Sequence, residues 1–184
     1  MSTKVIQKNI TAKNVAARDI HQLTIQQPEK KTRLGELIKR LQTQLDKEPG
    51  AVEFVDRLKK WMHTRGISRN LEQKLSDAGK ESLLISALEA KEQFAKQLYR
   101  TAFHPGLQEI YAEILGQIYS SFTYRIRPHI SPDEPKGKTE AAIADLVDSI
   151  CDQLAEAPPH LGIGHAEILG MLYYLTGNCY IDWD

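Results

Sequence analysis

From Lys80 to Phe122 apolar side chains recur at spacings of three and four. Leu84, Ala87, Leu88, Phe94, Ala95 and Leu98, with Lys91 in the same stripe, precede the breaker His104-Pro105-Gly106, and Ile110, Tyr111, Ile114, Leu115, Ile118, Tyr119 and Phe122 follow it. This period lines one side of an α-helix and conflicts with the alternation of a half-buried strand. The second run is apolar around much of its circumference, which places it at the centre of a core. The chain is therefore expected to be mainly α, a helical bundle.

The flanking sequence continues the pattern. Leu34, Leu37, Ile38, Leu41 and Leu45 predict an amphipathic helix ending near Pro49, and Val52, Val55, Leu58 and Met62 predict a second from about Gly50 to Arg65, stopped by Gly66. Asn70 with Gln73 reads as a capping box opening a short helix that Gly79 interrupts. After the proline- and charge-rich loop 127–138, Thr139 reads as the cap of a helix reaching Ala155, and a last helix runs from about Gly164 to Leu175. The alternation in Cys179-Tyr180-Ile181-Asp182-Trp183 predicts a short C-terminal strand.

The first 27 residues obey another rhythm. Val5, Ile10, Val15, Ile20 and Ile25 recur every five residues, with Asn9, Asn14 and Asp19 each preceding an aliphatic. The arrangement is similar to the five-residue repeats of small β-solenoids, in which each coil buries its apolar face on the next. So few units make only about one turn, so the ladder needs cover from the rest of the chain or from another copy. We expect a β-like oligomerisation segment at 1–27, with Ile10, Val15, Ile20 and Ile25 at the interface, ahead of a helical domain at 28–184. A pair of short strands joined by a turn, or a tail with accidental spacing, are the alternatives.

Composition limits the function classes. Lysine plus arginine balance aspartate plus glutamate at 24 each, so no global positive field favours nucleic acid or membrane surfaces. Cys151 and Cys179 show no CxxC spacing, which fits a reducing cytosol. The polar opening lacks the apolar stretch of a signal peptide, and no later run is long enough to span a membrane, so a cytoplasmic location is expected.

No catalytic motif emerges. Gly137-Lys138-Thr139 resembles the end of a phosphate loop, but Pro132 stands where that loop needs its first glycine. His160, His165 and Glu167 are wrongly spaced for one helical face, and a metal site is not expected there, although Cys151 and Cys179 could approach in space. Asp145, Asp148 and Asp152 share one side of a helix, a solvated acidic face or, in a second reading, the carboxylates of a small metal-dependent nuclease. Two cation–aromatic clusters are candidates for nucleic-acid contact: Arg57, Lys59, Lys60 and Arg65 around Trp61, and Arg125, Arg127 and His129 after Tyr124. A nucleic-acid-binding regulator using Lys59, Lys60, Trp61 and Arg65 is the third reading. Neither a cofactor nor a catalytic residue is expected.

Residues 71–75, Leu-Glu-Gln-Lys-Leu, and residues 87–98, Ala-Leu-Glu-Ala-Lys-Glu-Gln-Phe-Ala-Lys-Gln-Leu, resemble the helical core of small bacterial conflict-system components. The run from Glu167 to Trp183 resembles the closing segment of the C-terminal domains of ABC-three-component systems. The stretch from Asn14 to Ile20 is similar to the Gly-Asp-rich leader of conflict-system proteins, with Lys13, Asn14 and Ala17 where glycines are usual. The resemblance implies a role in defence against phages or plasmids, a separate SMC-like ABC ATPase, and usually an effector domain ahead of the helical module. No domain of effector size precedes residue 30, so the effector activity is expected on another subunit. The leading expectation is thus a structural and adaptor subunit of an anti-phage complex. It would self-associate through the ladder, dock an ATPase or effector, meet DNA only within the complex, and use Tyr180 and Trp183 at a partner interface.

Overall fold

The computed structural model describes residues 32–44, 54–66, 69–130, 137–158 and 161–183. Among them the chain forms seven α-helices: α1 (Arg33–Gln44), α2 (Asp56–Met62), α3 (Leu71–Asp77), α4 (Leu84–Arg100), α5 (Pro105–Ser121), α6 (Lys138–Gln153) and α7 (His165–Gly177). Single turns of tighter or wider helix occupy Glu81–Leu83, Phe122–Ile126 and Arg127–His129. The ladder residues, and the boundary expected near residue 27, lie outside the described residues.

Local sequence sets most helix ends. Asn70 Oδ1 accepts from the Gln73 amide at 2.8 Å while Gln73 Oε1 accepts from the Asn70 amide at 3.1 Å, the reciprocal box that the spacing implied. Gly79, at φ 66°, closes α3 in the left-handed conformation that only a residue without Cβ adopts freely. Pro105 starts α5 where its missing N–H costs nothing.

The core is one cluster. α5 is its hub, packing against α1, α2, α6 and α7, and it buries Ile110, Tyr111, Ile114, Leu115 and Ile118. The most extensive pairing is α4 with α7. These two come close because Gly170 faces Ala90 and Phe94, where a Cβ would sit 2.7 Å from the Ala90 carbonyl oxygen. Phe94 then sets its ring edge-on to Tyr111 and Tyr174, at 5.6 and 5.2 Å between centroids.

Polar groups inside this core are used as joints. Gln108 is fully buried; its Oε1 accepts from the Val55 amide at 2.7 Å, and its Nε2 donates to the carbonyls of Thr101 and Ala102 at 3.2 and 2.9 Å. One amide therefore satisfies the backbone at the end of α4 and just ahead of α2.

Three expectations need correction. The second helix is shorter than its apolar spacing implied: Val55 is extended, and helix begins only at Asp56. Thr139 does not cap α6; Gly137 takes the cap position at φ 90°, and the Thr139 hydroxyl donates instead to the His129 carbonyl at 3.0 Å. The closing segment is not a strand. Cys179 turns at φ 61°, the Tyr180 amide donates back to Leu175 at 2.9 Å, and Ile181 and Trp183 drop into the helical core with no ladder partner among the described residues. Alternation there reflects which side of an irregular segment meets the bundle.

Candidate functional site

The closing segment is held by a lysine. Lys74, on α3 and 1% exposed, donates through Nζ to the Thr176 and Ile181 carbonyls at 3.0 Å each and pairs with the Asp182 carboxylate at 3.0 Å. Arg69 approaches the same carboxylate at 4.0 Å. A buried ammonium needs compensation, and the turn after α7 supplies two carbonyl acceptors and a paired carboxylate. Trp183 lies beneath, its Nε1 donating to Thr176 Oγ1 at 3.2 Å and its ring tilted against Phe122 at 5.2 Å. Trp183 is thus spent on the core of its own chain. Tyr180 lies half-buried at the surface, edge-on to Trp61 at 4.9 Å, and its hydroxyl donates to the Lys60 carbonyl. Burial pushes the Tyr180 phenol up, opposed by the nearby Arg65 guanidinium.

The same contacts fold the first basic cluster onto itself. Trp61 is 5% exposed and enclosed by Tyr119, Tyr180 and Lys60, whose ammonium sits 4.5 Å from a ring centroid. Its face is covered where a stacked base would have to lie. Arg65 packs over Tyr180 at 5.9 Å, and Lys59 pairs with Asp56 at 3.2 Å. Arg57 reaches Glu109 and Glu113 on α5 at 2.8 and 2.9 Å, with Arg33 joining Glu113 at 3.2 Å. The hydrogen bond that Arg57 donates to Glu113 raises the Arg57 pKa despite partial burial, and the bond it donates to Glu109 adds to this. In the second cluster Tyr124 is the open ring, well exposed after α5.

The third grouping joins α6 to the start of α7. His165 Nε2 stands 3.0 Å from Asp148 Oδ1, and its Nδ1 stands 3.4 Å from Cys151 Sγ. Asp148 and Cys151 share one face of α6, three residues apart, and His165 opens α7 across from them. A thiol, imidazole and carboxylate in series can relay a proton, provided the thiol ionises near neutrality. Here desolvation pushes the Cys151 thiol up, and Asp148, Asp152 and Glu167 push it further. All of these influences oppose the thiolate. The neighbouring pocket, 390 Å³, is lined chiefly by Leu154, Leu161, Ile163 and Glu167. Glu167 itself accepts from the Gly164 amide at 2.9 Å, and His160 lies outside the described residues. Asp145 and Asp152 stay on the solvent side of α6, and no three ligand-type side chains among the described residues are arranged to hold a metal ion.

Sequence reasoning overlooked Lys74 and Gln108, and it left the approach of Cys151 to His165 open as one the fold could make. Lys74 does carry a signal, since it sits between Leu71 and Leu75 on the apolar side of α3, where a solvated lysine is out of register. The other two depend on elements distant in sequence.

The family model for C-terminal domain 9 of the ABC-three component (ABC-3C) systems matches residues 70–183. The chain belongs to that family. The CTD9 match opens on the capping residue of α3 and closes on Trp183, so the lysine joint brings together the two ends of the matched region. α1 and α2 lie ahead of it yet pack on its central helix. The chain matches no curated protein and no solved structure. Among the described residues no helix is long and apolar enough to cross a membrane.

Proposed function

We propose that this CTD9 chain is a non-catalytic structural and adaptor subunit of an ABC-3C anti-phage complex, self-associating and docking an SMC-like ABC ATPase or an effector in the cytoplasm. The observation that carries the reading is the match of residues 70–183 to a domain family defined by membership of multi-component systems. A further support is how the polar interior is employed: Lys74 and Gln108 are consumed in backbone joints. Self-association is assigned to Ile10, Val15, Ile20 and Ile25, whose exposure would leave a continuous apolar ladder in water. The rim of Tyr180, with Lys59, Lys60 and Arg65 around it, is the surface offered to a partner or, within the complex, to DNA.

The test has two parts. Light scattering after size exclusion compares the full chain with one lacking residues 1–27; a full-length oligomer that becomes a folded monomer supports the ladder. Co-elution with the ABC ATPase of the same system then tests docking. A monomeric full chain that fails to co-elute overturns the adaptor reading.

A further inference from the structure

The outer face of α4 carries a pattern that reads the same in both directions. Ile85, Leu88, Glu92, Lys96 and Tyr99 fall within about 80° of arc at 3.6 residues per turn, opposite the side that buries Ala87, Phe94 and Leu98. Phe103 continues the strip just past the helix end. Four of these six are large apolar groups left in water: Ile85 is 74% exposed, Leu88 37%, Tyr99 65% and Phe103 47%. They stand at the two ends of the strip, with the exposed Glu92–Lys96 ion pair, 2.6 Å apart, at its middle. Scattered exposed apolar residues are ordinary, but here they are grouped and ordered about one point.

That point lies between Glu92 and Lys96, close to position 94. A two-fold axis there, normal to the helix, superposes Glu92 on a partner's Lys96, Leu88 on Tyr99 and Ile85 on Phe103. At about 1.5 Å per residue the offsets from the axis match within roughly 2 Å: about 3 Å for the charges, about 8–9 Å for Leu88 and Tyr99, and about 13–14 Å for Ile85 and Phe103. The next row of the helix repeats the relation with exposed Glu89 and Arg100. An isologous contact requires this: whatever residue i meets in j, j must meet in i. We propose that the outer face of α4 is a docking surface for a second copy of this chain, paired antiparallel about a two-fold axis between Glu92 and Lys96. A central ring of four charges is flanked on each side by an aliphatic–aromatic contact. The surface shares no residue with the N-terminal ladder.

Charge reversal tests the axis. Glu92→Lys alone gathers four positive charges about it and Lys96→Glu alone four negative ones, whereas the double reversal restores every cross-axis pair. Both side chains are exposed, so thermal melts should match the parent. Sedimentation velocity of the full chain over a concentration series should show each single reversal weakening the α4 contact at least about tenfold. The double reversal should regain parental mass, and so should an equimolar mixture of the two single variants. In a parallel contact 92 would meet 92 and 96 would meet 96, so the parent would set like charges together and the mixture would associate more tightly than the parent instead of regaining its mass. If the ladder also assembles the chain, each single reversal lowers the mass to that of the ladder-held species. A parent monomeric at all concentrations, or single reversals that sediment like the parent, would overturn the proposal. Reversals that leave the mass unchanged but abolish co-elution with the ATPase would give the face to that partner instead.

Discussion

The ammonium of Lys74 lies 3.0 Å from the carbonyl oxygen of Ile181, a residue 107 positions later in the chain. With Thr176 and Asp182 completing its shell, this contact joins α3 to the segment after α7. Lys74→Met keeps the aliphatic stem but strands two carbonyls, and should cost about 2–4 kcal/mol. Asp182→Asn, at a half-exposed carboxylate that water can reach, should cost under about 1 kcal/mol. Urea unfolding of both variants checks the ordering; equal losses would mean that the ion pair, not the carbonyls, dominates.

Two glycines predict opposite outcomes. At Gly170 a methyl group meets the Ala90 carbonyl at 2.7 Å and Phe94 Cβ at 3.0 Å, so Gly170→Ala must push α4 from α7 and lose about 1–3 kcal/mol. At Gly116, inside α5, the nearest atom is on the Trp61 ring at 3.9 Å. Gly116→Ala should therefore gain about 0.5–1 kcal/mol from helix propensity. Thermal melts of the pair read both signs at once.

Thiol chemistry should be slow. In a Cys179→Ser background, the rate of Cys151 modification by a disulfide reagent should rise with pH through a midpoint above that of an ordinary cysteine, because burial and three carboxylates oppose the thiolate. Asp152→Asn removes one carboxylate without touching His165 and should shift the midpoint downward. A midpoint below that of a free thiol would instead mark Cys151 as activated.

Alkali should unfold the protein through its tyrosines. Tyr111 is buried, and desolvation, then Glu167, pushes its pKa up to about 12, weakly opposed by Gln97; burial raises Tyr173 and Tyr174 as well. Unfolded tyrosine ionises near 10, so the folded value lies above the unfolded one. The stability that Tyr111 contributes is intact below pH 10 and is lost as pH rises toward 12, by about 2–3 kcal/mol. Urea midpoints between pH 8 and 11.5, alongside tyrosinate absorbance, should fall together. Tyr111→Phe should flatten that decline.

Helical periodicity made the bundle legible, because α4, α5 and α6 each bury one phase of a 3.6-residue pattern that no strand could reproduce. The capping box at Asn70 was legible for the same reason: it needs only residues three apart. Val55 was misassigned because its apolar phase fits a helix while its backbone is extended, its amide taken by Gln108, 53 residues away. Trp183 and Tyr180 looked alike as a terminal aromatic pair. Only the path of the segment after Cys179 sends one into the core and leaves the other at the rim beside Trp61. Composition likewise offered Trp61 as a stacking ring, and it is the packing of Tyr119 and Tyr180 around it that closes its face. What depended on neighbours along the chain was readable; what depended on a partner across the fold was not.

The Gln108 amide crosses the border at residue 70 where the family match begins. A fragment cut at that border would leave Gln108 Oε1 without the Val55 amide and uncover the side of α5 on which α1 and α2 rest. Such a fragment would be expected to clump in solution rather than stay dispersed. The unit that inheritance recognises is here smaller than the unit that water tolerates.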